Sequence, residues 1–138
     1  MGVEWVASLQ SKIFSRIVNE FSKKMKENYG MTDVDNFSTD LSKYTKAHFP
    51  FVLVQMLPAL ERGQDLEGDT INAGLFTFQV DVTDNKSQKR AKEVACEILR
   101  IMKAMRFEVT SMPSFEDTTD THRSTARYSR VIGSGDAI

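Results

Sequence analysis

The chain has a single cysteine, Cys96, among its 138 residues. No disulfide can close within it, so it is not one of the small cross-linked scaffolds of oxidising compartments. Histidine is almost as scarce. His48 and His122 are the only two; they lie far apart, with no paired-ligand spacing, so no metal or other cofactor is expected. Three prolines and seven glycines are too few for a fibrous or low-complexity chain. No apolar run reaches the roughly 20 residues of a membrane span. The longest, from Phe49 to Leu57, has the length of a strand. The start, MGVEWV, lacks a positive region leading into an apolar stretch, so no secretion signal is expected. A net charge of −1 gives no overall bias towards a polyanion or a polycation.

What is present suffices for one domain with a core of its own. Residues 3–28 read as one long amphipathic helix. Val6, Leu9, Ile13, Phe14, Ile17, Val18, Phe21 and Met25 recur at three- and four-residue spacing, opposite Ser8, Ser11, Lys12, Ser15 and Asn19. Gly30 supplies a stop. Residues 31–48 are polar and turn-rich, with Leu41, Tyr44 and His48 as one face of a short helix. Residues 51–57 read as a buried strand ended by Pro58. In 71–83, Phe76, Phe78, Val80 and Val82 alternate with Thr77, Gln79, Asp81 and Thr83, the signature of a half-buried strand.

A second helix is expected from Ser87 to Arg106. Its apolar arc holds Ala91, Val94, Ala95, Ile98, Leu99, Ile101, Met102 and Met105, and every charged residue lies outside the arc. Cys96, at the edge, reads as a small semi-buried residue. Residues 107–116 and 121–132 are two closing strands. The order α-β-β-α-β-β implies an α+β fold: a mainly antiparallel sheet of four to five strands packed against two helices. It forms a single domain over 1–138, with a flexible tail at 134–138.

Candidate chemistry is thin. Asp84-Asn85-Lys86, downstream of Asp65, Glu67 and Asp69, has the permissive spacing of a metal-dependent nuclease, in which carboxylates hold Mg²⁺ and a lysine assists the attacking water. Asp84 and Asn85 more commonly end a strand and lead into a helix, and that reading is preferred. Gly133-Ser134-Gly135 lies in the tail and reads as a flexible glycine segment rather than a nucleophile turn. Two charged features are more pronounced. Glu61, Asp65, Glu67 and Asp69 form an acidic loop, and Arg123, Arg127 and Arg130 make the last strand basic. In a head-to-tail ring, the acidic loop of one copy could meet the basic strand of the next. The basic face of the second helix is interrupted by Glu93 and Glu97 and carries no aromatic residues, so it reads as a solvated face.

From Phe49 onward the chain resembles the tail terminator and tail completion proteins of long-tailed phages and prophages. FPFVLVQMLP at 49–58, INAGLFTFQVDVTDN at 71–85, the helix end MKAMRF at 102–107 and DTTDTHRSTARYSRVIG at 117–133 carry the resemblance through their order and spacing. It implies a non-enzymatic virion protein, made in the bacterial cytoplasm and placed in the tail. Six copies would form a ring at the head-proximal end, on the last ring of tail-tube protein, and offer a surface to the head connector. DNA would pass through without sequence-specific binding, and no membrane is involved. Segments 31–48, 61–70 and 134–138 would order on assembly. Relatives tend to have glycine before the strand-entry phenylalanine, where this chain has Arg106. A head-completion or connector-adaptor subunit is the alternative within the same structural class.

Overall fold

The computed structural model describes residues 4–40, 48–62 and 73–138. Among them are α1 (Glu4–Glu20), α2 (Lys23–Tyr29), β1 (Phe37–Ser38), β2 (Phe51–Met56), β3 (Leu60–Arg62), β4 (Ala73–Asp84), α3 (Gln88–Ala104), β5 (Glu108–Asp117) and β6 (His122–Gly133). The six strands form one open sheet in the order β1-β2-β4-β6-β5, with β3 pairing β4 beyond the end of β2. The α+β class expected from sequence is present, but three helices replace two and the sheet is mixed. β1 runs parallel to β2, and all other pairs are antiparallel.

The single helix expected over 3–28 is two. It breaks at Phe21–Ser22, where the Ser22 hydroxyl accepts the Met25 N–H at 3.3 Å and caps α2. Lys26 turns back and donates to the Val18 carbonyl at 2.7 Å, satisfying an orphan group at the end of α1. From α3, Glu97 accepts the Ser22 N–H at 2.9 Å and Arg100 donates to the Glu20 carbonyl at 3.3 Å. Further along, the Tyr29 hydroxyl donates to Glu93. That hydrogen bond, together with burial, pushes the Tyr29 hydroxyl up to about 12. α2 then stops at Gly30, at φ +65°, as the sequence suggested.

The helices pack on one face of the sheet. Leu9, Ile13, Ile17 and Val18 of α1 and six residues of the expected α3 arc are buried against Phe76, Phe78, Val80 and Val82 of β4. Each large side chain buried this way contributes roughly 1.5–3 kcal/mol before entropy is subtracted. Edge-to-face pairs join the layers: Trp5 with Phe76 at 5.7 Å, Phe21 with Phe37 at 5.3 Å and Phe78 with Phe107 at 5.7 Å. Gly74 makes room for the first of these, because a Cβ there would stand 2.8 Å from the Phe76 ring.

The described residues of two segments expected to order only on assembly pack against the rest of the chain. Met31, Asn36 and Phe37 are buried. Asn36 donates to the carbonyls of His48 (3.1 Å) and Pro50 (2.9 Å), while its own carbonyl accepts the Val52 N–H at 2.8 Å. This staple aligns β1 with β2. The expected helix face at Leu41 and Tyr44 lies outside the described residues. The tail at 134–138, expected to be flexible, folds back. Gly133 and Asp136 close a turn, and Ile138 packs against the core.

β5 is an edge of the sheet and is mostly exposed. Its pairing with β6 shifts register on both sides of Ser111, so that Met112 and Pro113 bulge out of the ladder.

Candidate assembly interface on the helix-free face of the sheet

β4 and β6 pair without interruption from Ala73–Gly133 to Asp84–His122. Side chains alternate across a strand, so the even-numbered residues of β4 face the helices and the odd-numbered ones face away. Directly opposed residues share a face. The outward rows therefore follow from the register: Leu75 with Val131, Thr77 with Ser129, Gln79 with Arg127, Asp81 with Thr125, and Thr83 with Arg123. None of the described helices packs on this side.

The polar rows are linked into a network. The Thr77 and Ser129 hydroxyls lie 2.7 Å apart. Arg127 donates to Gln79 at 3.1 Å, and Gln79 donates to Asp81 at 3.2 Å. Thr125 donates to Asp81 at 2.6 Å, and the Arg123 guanidinium stands 3.5 Å from the same carboxylate. Asp81 is only 4% exposed, so it is the anchor that holds both arginines over the sheet. At the other end of the same face lies an apolar row. Leu60 of β3 opposes Leu75, which in turn opposes Val131. Leu60 is 59% and Val131 53% exposed. Neighbouring strands are about 4.8 Å apart, so the three side chains form a contiguous patch rather than scattered surface residues.

Of the residues singled out from sequence, Arg123 and Arg127 lie on this face. Arg130 does not. Its even position turns it to the helix side, where it donates to the Met105 carbonyl at 3.0 Å and the Ala137 carbonyl at 3.4 Å. It closes the end of α3 and the tail, so it leaves the candidate set. Glu61 lies in β3, not in a loop, and its register opposite Gly74 sets it on the helix side. Asp65, Glu67 and Asp69 lie outside the described residues. The sequence reading missed Gln79, Asp81 and Thr125 as a network and Leu60, Leu75 and Val131 as a row. The β4 alternation announced a polar outer face, but only the register shows which residues meet.

Asp84 occupies a different setting. It is fully buried, with both carboxylate oxygens bound by Arg90 and one of them also accepting the Ser87 N–H at 3.2 Å. Burial alone would push its carboxyl up; the Arg90 and Ser87 hydrogen bonds outweigh this and hold it below the usual carboxylate range. The arrangement joins the end of β4 to the start of α3, and both carboxylate oxygens are already committed within it. Among the described residues, no group of three histidine, cysteine or acidic side chains is placed to hold a metal ion. His122 pairs with Asp117 at 2.7 Å across the β5–β6 hairpin. Cys96, expected to be semi-buried, is exposed. A recess of 520 Å³ between α1 and the C-terminal turn is lined by residues including Trp5, Leu9, Lys12, Arg16 and Ile132. Its charged lining is Lys12, Arg16 and Asp136, and Asp136 is engaged by the Gly133 N–H. No described helix is long and apolar enough to cross a membrane.

Compared with protein-family models and with curated proteins, the sequence matches none.

Proposed function

We propose that this chain is a tail terminator subunit of a long-tailed phage, a structural protein with no catalytic role. The observation that carries the reading is the two-sided character of the subunit. One face of the sheet is sealed by helices. The other presents an exposed apolar row beside a pair of anchored arginines, a surface built to be covered. The ordered resemblance of residues 49–133 to tail terminators supplies the identity of the cover: copies of the same chain and the last ring of tail-tube protein.

In this reading the apolar row provides burial on association. The Arg123–Asp81–Arg127 array sets register and excludes wrong partners. Copies joined head to tail close when their rotation divides the circle, and the resemblance makes that a hexamer. A ring seated on the tube end occupies the surface where the next tube subunit would add, which stops growth and leaves its other side for the head connector. DNA crosses the ring, no membrane takes part, and the protein resides in the virion tail.

The test is light scattering of the purified chain, alone and with tail tubes, with tube ends viewed by electron microscopy. The expected result is a ring, or a monomer that caps one tube end. Val131→Asp, at an exposed position, should fold normally and lose capping by at least tenfold. A wild-type chain that ignores tubes would overturn the reading, and binding to capsids instead would identify a head-completion subunit.

A further inference from the structure

The basic face of α3 is interrupted in sequence by two acids, and the structure turns one of them, Glu97, away from solvent. Glu97 is turned into the α1–α2 break, where it accepts the Ser22 N–H and pairs with Arg100 at 2.8 Å; its side chain is only 9% exposed. Glu93 accepts the Tyr29 hydroxyl and also pairs with Lys89 at 3.8 Å, and its side chain stays 38% exposed at the margin of the stripe. Both carboxylates are committed to holding α2 and the end of α1. On the solvent side of α3, Lys89, Lys92 and Lys103 fall within one arc of about 60° at 100° per residue. Lys86 and Arg106 flank the helix in sequence, and all five residues are exposed.

We infer that this stripe is a binding strip for the phosphate backbone of duplex nucleic acid, without sequence preference. Lys89 and Lys103 are about 21 Å apart along the helix. A duplex presents roughly one charge per 1.7 Å of its axis, so one laid along the stripe passes about a dozen phosphates. The chemistry selects a polyanion over an acidic protein surface. Protein interfaces rest on large side chains buried at their centre, and the large apolar side chain exposed beside these cations, Phe115, is a single one at 38% exposure. The Lys92 ammonium lies 5.3 Å from the Phe115 ring centre. α3 itself brings no aromatic residue to the stripe, and the one ring beside it, Phe115, is engaged by Lys92; a row of stacking platforms for unstacked bases is missing, which favours a duplex over a single strand. The inference does not depend on ring formation.

The experiment is fluorescence anisotropy of a labelled random-sequence duplex against the full chain, from 20 to 200 mM salt. The expected result is weak binding at low salt, unchanged when the sequence is scrambled. Three to five phosphate contacts would make log K fall with log salt at a slope of about −3 to −4.5. Lys89→Gln, Lys92→Gln and Lys103→Gln together should flatten that slope by about 2.7. The corresponding three arginine substitutions should preserve it. Arg123→Gln with Arg127→Gln, on the opposite side of the sheet, should leave it unchanged. No binding at 20 mM salt, or a glutamine triple variant that binds like the wild type, would overturn the inference. Equal binding of poly-glutamate would overturn it in favour of an acidic protein partner.

Discussion

Arg106 sits in the left-handed region at φ +66°, where an L side chain is strained by about 1–2 kcal/mol. It follows the last turn of α3, its N–H donating to Lys103 and the Phe107 N–H donating to Met102, the pattern of a helix end that glycine normally fills. Arg106→Gly should raise stability by about 0.5–1 kcal/mol once glycine's larger unfolded-state entropy is subtracted, read as a rise in the urea midpoint. Asp84 works in the opposite sense. Asp84→Ala leaves Arg90 without its partner and should cost about 3–5 kcal/mol. Because the Asp84 carboxyl is held low in the folded chain, its contribution is complete above about pH 4. It is lost as the pH falls through the folded value. Urea midpoints between pH 6 and 2 should fall in the wild type and flatten in Asp84→Asn. From sequence, Asp84 could be read as a strand end or as a metal ligand; which neighbour would claim its oxygens was not legible. Arg130 was misassigned for a simpler reason. Three arginines in one strand look like one feature, yet parity puts Arg130 on the other face.

The elements divide by what specifies them. α3 was legible nearly residue for residue, because a long apolar arc opposite charge has one reading, and β4 likewise through its alternation. The break between α1 and α2 was hidden. Phe21 and Met25 continue the helical spacing across it, and the groups that stabilise it come from α3, 75 and 80 residues away in sequence. Ser22→Ala removes the cap and should cost about 0.5–2 kcal/mol. Loss of protection in α2 with α3 unchanged, followed by hydrogen exchange, is the expected signature. β1 and β3, two and three residues long, carry no periodicity of their own. They are strands because Asn36 and β4 make them so.

At the scale of the molecule, the sequence carried the class of fold and the presence of a polar sheet face. It could not carry the composition of that face, since rows such as Leu60–Leu75–Val131 join residues up to 71 positions apart that meet only through register. The charge distribution shows the same limit. Glu93 and Glu97 look alike in the sequence, yet in the structure Glu97 is an internal fastener while Glu93 holds Tyr29 from a half-exposed position beside Lys89.

The bulge at Met112–Pro113 bears on the behaviour of the free subunit. β5 is the longest strand at an edge of the sheet, and such a margin ordinarily serves as a template on which other chains stack into fibrils. Proline offers no N–H to an incoming strand, and the displaced ladder spoils the spacing that stacking needs. A free copy of the chain is therefore guarded against seeding its own aggregation along β5.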